Sequence, residues 1–120
     1  MKKNYLVYVL LVISFQIFSQ NEASFWYFGD NAGLQFNAQN GSVTAITDGQ
    51  IDTLEGCTSI SDTEGNLLFY SDGQTVWNSN HQIMPNGNYF GGTGLLGDPS
   101  STSSGLIVPK PNDPDKYYLF

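Results

Sequence analysis

Cys57 to Gly87 alternates short apolar runs with tight reversals, and that alternation leaves little choice of architecture. Thr58-Ser59-Ile60-Ser61, Asn66-Leu67-Leu68-Phe69-Tyr70-Ser71 and Thr75-Val76-Trp77-Asn78 each read as a strand. Asp62-Thr63-Glu64-Gly65 and Asp72-Gly73 separate them with residue types that tolerate the dihedrals of a chain reversal. Strands joined in this way form a β-meander. The middle run, Leu67-Leu68-Phe69-Tyr70, is continuously apolar instead of alternating, as in a strand covered on both faces.

The flanking sequence has the same grammar. Phe25 to Phe28, Leu34-Gln35-Phe36 and Ser42 to Thr47 read as strands. They are punctuated by the turn Gly29 to Gly33, by Asn40-Gly41, which predicts a type I′ turn, and by Asp48-Gly49. Gln50 to Gly56 is polar and reads as a loop. Gln82-Ile83-Met84-Pro85 predicts a short outer strand ended by Pro85 and Asn86-Gly87. The Gly- and Ser-rich stretch from Asn88 to Gly105 predicts a functional or mobile loop anchored by Leu95-Leu96. Leu106 to Val108 and Lys116 to Phe120 are strand signals around a Pro- and Asp-rich turn. No segment sustains helical periodicity, so the fold class is all-β.

Among all-β folds, a β-propeller best accommodates a strand buried on both faces, because stacked blades cover the inner strands of each sheet. Ile60 and Ile107 open hairpins of similar build, and their spacing (107 − 60 = 47) is that of a propeller blade, about 40–50 residues. A β-sandwich is the alternative. The final run Lys116-Tyr117-Tyr118-Leu119-Phe120 stops on an apolar strand signal without a turn or polar tail, so the expectation is a propeller-like domain from residue 20 onward, incomplete at its C-terminus.

Residues 1–19 read as a secretory signal peptide: Lys2 and Lys3, an apolar run from Tyr5 to Ile13 prolonged by Phe15, Ile17 and Phe18, and a small residue, Ser19, at the cleavage position. A membrane anchor is the alternative, but Ser14 and Gln16 break the run. Removing residues 1–19 leaves two lysines, Lys110 and Lys116, against eleven acids, a net charge of 2 − 11 = −9. A chain so acidic lacks the basic footprint that nucleic acid or an anionic membrane surface requires. Its expected address is extracellular, at the cell surface. The single cysteine, Cys57, has no partner for an internal disulfide and reads as a small buried residue at a strand start.

One resemblance adds to this reading. Trp26-Tyr27-Phe28-Gly29 followed by Asn31-Ala32-Gly33-Leu34 and Phe36 resembles the opening of large exported proteins of gliding bacteria. Later segments follow in the same order: Thr47-Asp48-Gly49, Glu55-Gly56-Cys57, Ile60-Ser61-Asp62, Gly65 to Tyr70, Asp72-Gly73, Val76-Trp77-Asn78, His81 to Gly87 and Ile107 to Pro111. The resemblance covers residues 25–120. It implies an N-terminal propeller-like region and, with a C-terminal sorting domain beyond this sequence, export by the type IX secretion machinery. It also implies an adhesion or surface-matrix role linked to gliding motility, with no catalytic residues to carry over. The expected partners are a polysaccharide or other surface proteins. The alternatives are a propeller enzyme acting on glycans, with active residues beyond Phe120, and a structural spacer.

Candidate chemistry is sparse. Asp62, Glu64 and Asn66 place oxygen-bearing side chains two apart around Gly65, as at the start of a calcium loop, but a later bidentate acid is missing; the same pattern is that of a solvated hairpin turn. Asp62 to Phe69 also approaches the Asp-box turn of sialidase-type propellers, yet its Asp-to-Gly spacing is one too long and Ile60 stands where serine is required. Tyr89 and Phe90, in the Gly-rich loop, are candidates for stacking on a sugar. Trp26 and Trp77 are expected in the core. His81, the one histidine, reads as a structural hydrogen-bonding group near the outer strand.

Overall fold

A computed structural model describes residues 21–88 and 94–120. Over these residues the chain is all-β, built of three antiparallel sheets. After a 3₁₀ turn at Asn21–Ala23, β1 (Phe25–Tyr27), β2 (Gly33–Phe36) and β3 (Val43–Ile46) form the first sheet in sequence order. β4 (Thr58–Ser61), β5 (Leu67–Ser71), β6 (Thr75–Asn78) and β7 (Ile83–Asn88) form the second, again in sequence order. β8 (Ile107–Pro109) and β9 (Tyr117–Leu119) pair as the third.

The sheets meet through their first strands: β1 lies beside β4, and β4 beside β8. Ser59 Oγ on β4 donates to the Phe25 carbonyl on β1 at 2.6 Å. Successive residues of a strand point to opposite faces, and β5 uses both. Tyr70 stacks on Tyr27 of the first sheet, ring centroids 4.4 Å apart, while its neighbour Phe69 meets Tyr117 of the third sheet edge-on at 5.6 Å. The continuous apolar run of β5 thus has an aromatic neighbour on each side. Between Phe69, Val76 and Met84 of the second sheet and Tyr117 and Leu119 of the third lies an open cleft of about 530 Å³.

The core lies between the first two sheets. Tyr27, Ile51, Tyr70 and Trp77 are buried together, with Phe25, Ile46, Cys57 and Leu67 packed around them. Trp77 is 9% exposed and stacks on Tyr70, its cross-strand partner, at 5.5 Å. Cys57 is half-buried just before β4, and burial pushes its thiol pKa up, away from thiolate chemistry.

Four expectations need correction. Trp26 is 48% exposed rather than core, because Phe25 and Tyr27 take the inward face of β1 and the pleat turns Trp26 outward, against Phe36. Asn40-Gly41 is not a type I′ turn: only Gly41 has positive φ, and the connection closes by Gly41 N–H donating to Asn37 O and Asn37 N–H to Ser42 O. β7 runs through Pro85 to Asn88, which an edge strand allows because it leaves the proline without a required ladder bond. Leu96 is exposed and does not anchor the Gly-rich loop. The described part of that loop is held by Gly97 N–H donating to Gly73 O and by buried Ser104, whose Oγ donates to Asp98 O.

One device recurs in the turns: the first residue is Asx, and its side chain caps the backbone that follows. Asn37 Oδ1 accepts from the backbone of Gln39 and Asn40, Asp72 Oδ1 from Gln74 and Thr75, and Asn78 Oδ1 from Asn80 and Gln82. Asp62 does the same for Glu64 and Asn66.

Candidate functional site: an aromatic and histidine cluster between two sheets

The Asp62 and Asn78 hairpins share one backbone pattern. In each, the first residue's N–H donates to the carbonyl four residues on, and its own carbonyl accepts from the N–H three residues on. The third loop residue is left-handed: Gly65 at φ 88° in one, His81 at φ 60° in the other. Glycine takes that conformation at no steric cost, whereas histidine carries a Cβ penalty. His81 keeps the position because its ring is held from two sides.

His81 Nδ1 lies 3.0 Å from the Tyr70 hydroxyl, and Nε2 lies 3.4 Å from Asp48 Oδ2. The Tyr27 hydroxyl donates to Asp48 Oδ1 at 3.1 Å, and Gln50 N–H donates to the Tyr70 oxygen at 3.1 Å. Counting donors fixes the protons in the neutral ring. The Tyr70 oxygen already accepts from Gln50, so its own proton goes to Nδ1, which leaves the ring proton on Nε2, facing the Asp48 carboxylate. A ¹⁵N-resolved NMR spectrum of the ring should therefore show the Nε2–H tautomer.

The backbone sets this arrangement. Gly49 lets the chain pass against the Tyr27 ring, where a Cβ would collide with it, and so brings Asp48 to the hydroxyl. Asn31 N–H donates to Ile51 O, pinning the following loop with Ile51 fully buried. Burial pushes the Tyr70 phenol up to about 12, and the Asp48 charge adds to the rise while the Gln50 hydrogen bond opposes it. Tyr27 rises too, through burial first and then through Asp48. Both phenols hold their protons and act as hydrogen-bond donors, a state suited to bracing the joint between two sheets.

Replacing His81 separates backbone strain from side-chain bonding. His81→Ala and His81→Gly lose the ring equally, but only glycine relaxes at positive φ. The glycine variant is expected to be more stable than the alanine variant by about 1 kcal/mol. Urea unfolding midpoints check this, and equal midpoints would mean the backbone there is unstrained.

The sequence-level candidates fall elsewhere. Asp62 accepts from Glu64 N–H and Asn66 N–H at Oδ1 and from the Asn66 side-chain amide at Oδ2. These bonds, the Asn66 side chain foremost, lower the Asp62 pKa. Both carboxylate oxygens thus serve the turn, and Glu64 takes a hydrogen bond from Thr63 Oγ1. Among the described residues no three His, Cys, Asp or Glu side chains converge as metal ligands. Tyr89 and Phe90 lie outside the described residues. The sequence reading placed His81 as a hydrogen-bonding group, but Asp48, Tyr27 and Tyr70 were missed as its companions. The local signal was the parallel between Asp62-Thr63-Glu64-Gly65 and Asn78-Ser79-Asn80-His81, with histidine standing in a glycine position. Comparison of the chain with protein-family models, curated proteins and solved structures finds no match in any of the three.

Proposed function

We propose that the chain is an exported cell-surface protein that binds without catalysis, built as a propeller-like array of sheets and related to the surface proteins of gliding bacteria. The observation that supports the propeller-like part is the sequential order of the sheets: three antiparallel units follow one another along the described chain, each beside the next through its first strand, β1 to β4 to β8. Sheet-to-sheet aromatic contacts on both sides of β5 agree with stacked blades. The binding role rests on the resemblance, the acidic charge and the loops at the sheet ends. The non-catalytic reading rests on the resemblance, which brings no catalytic residues to carry over. Under this reading residues 1–19 are removed on export, and the mature chain begins at Gln20.

The test uses the protein as secreted by its own cells. Intact mass should place the N-terminus at Gln20, and surface fractionation should recover it outside the cell. On a polysaccharide array the protein should bind without releasing reducing ends. Release of product would replace this reading with the propeller enzyme. A cytoplasmic protein retaining Met1 would overturn it altogether.

A further inference from the structure

The Asn37 turn, the Asp62 hairpin and the 3₁₀ turn at Asn21–Ala23 meet around an open cleft of about 200 Å³. Asn21, Gln35, Asn37, Gln39, Glu64 and Asn66 line it, so amides and a single carboxylate make up most of its wall. Gly65 closes one side, where a Cβ would lie 3.0 Å from Ser24 Oγ. Ser24 lines the cleft too and is 7% exposed, and its hydroxyl makes no hydrogen bond among the described residues. A second cleft of about 230 Å³ shares Ser24 and Asn37 with the first and runs on to Ser42.

Three of the amides are already held at one end. Asn21 Nδ2 donates to Thr63 O at 2.8 Å, Asn66 Nδ2 donates to Asp62 Oδ2 at 2.9 Å, and Asn37 Oδ1 accepts from Gln39 N–H and Asn40 N–H. Those partners fix which way each amide faces and leave Asn21 Oδ1, Asn66 Oδ1 and Asn37 Nδ2 for another molecule. The exposed amides of Gln35 and Gln39 add donors and acceptors, and Glu64 adds a charged acceptor. Oriented acceptors thus stand beside oriented donors in one small space. A polyol hydroxyl donates and accepts at once and matches both. An apolar ligand would find little to bury against, an anion would meet Glu64 in an acidic chain, and a metal ion would meet N–H donors among its oxygens.

We propose that the two adjoining clefts bind a neutral saccharide through direct hydrogen bonds to its hydroxyls, one sugar unit in each. Amides held in place before the ligand arrives lose little freedom on binding it. This assignment rests on the surface-binding reading and adds to it a place on the molecule and a ligand class, an uncharged polysaccharide read by the turns between strands.

The mature secreted protein tests it on an array of neutral oligosaccharides (glucans, mannans, galactans and xylans) and acidic ones (alginates and pectins). Calorimetry in EDTA then measures the neutral trisaccharide bound best. It should bind more tightly than its monosaccharide, and equally well at low and high salt, because an uncharged ligand has no charge to screen. A double variant, Gln39→Ala with Glu64→Ala, should weaken that binding at least about tenfold, the equivalent of one or two lost hydrogen bonds. Its urea midpoint should stay at the wild-type value, since these residues make their turn bonds through backbone N–H groups. Ser24→Ala should also weaken binding at no cost in stability, because its hydroxyl has no protein partner to lose. Unchanged affinity in both variants would overturn the proposal and leave the surface-binding reading in place. Binding confined to acidic glycans, or abolished by EDTA, would do the same. A wild type that binds no saccharide of either kind would overturn both.

Discussion

Tyr70→Ala is expected to destabilise the protein by about 3–5 kcal/mol, the usual cost of deleting a buried aromatic ring. Tyr70 is fully buried and stacks on Tyr27 on one side and on Trp77 on the other, so its removal opens a cavity between rings from two sheets. Tyr70→Phe keeps the stack and deletes only the hydroxyl. Gln50 N–H then loses its acceptor and His81 Nδ1 its donor, for an expected cost of about 1–3 kcal/mol. Urea unfolding of the two variants separates packing from hydrogen bonding. A phenylalanine variant as stable as the wild type would show that the hydroxyl network contributes nothing net.

The same hydroxyl should make the fold sensitive to alkali. An unfolded tyrosine ionises near pH 10, whereas burial raises folded Tyr70 to about 12. The folded state therefore binds this proton more tightly than the unfolded state. The resulting stabilisation is fully present below about pH 10 and drains away as pH climbs toward 12. A difference of this size in proton affinity corresponds to about 2–3 kcal/mol. Tyr27, raised in the same direction by burial and by Asp48, adds to the loss over the same rise in pH. Unfolding midpoints at pH 8, 10 and 11.5 should fall steeply over the last interval, and the fall should shrink in Tyr70→Phe. A flat profile, or an unchanged slope in the variant, would show that these phenols reach solvent freely.

Turns announced themselves in the sequence and strands followed from them. Asp62 to Gly65 and Asp72-Gly73 bounded β4, β5 and β6 because Asx and Gly have few uses other than reversing a chain. Facing was harder to read. Phe25-Trp26-Tyr27-Phe28 is apolar at every position, so alternation alone cannot say which half points inward. A cue lay across the strand: Gly33, opposite Tyr27, leaves room on the inner side, whereas Leu34 sits opposite Trp26. Ile51 escaped notice because the polar stretch around it holds two apolar residues, Ile51 and Leu54, and only the packing tells them apart: Ile51 is fully buried, its carbonyl taking the Asn31 N–H from a distant turn, whereas Leu54 is exposed. The His81 cluster was illegible for the same reason. Tyr27, Asp48, Tyr70 and His81 lie far apart along the chain, and only the packing of the first sheet on the second joins them.

The Asx-capped turns carry a consequence for how this surface can change. In the Asn37, Asp62 and Asn78 turns a single side chain at the entrance secures the reversal, while Gln39, Thr63, Glu64, Ser79 and Asn80 at the tips point into solvent. Strand register is thus governed at the threshold of each loop rather than at its summit. Summit residues can be exchanged one after another without slipping a strand, so the molecule can alter what it presents outward while its interior stays the same.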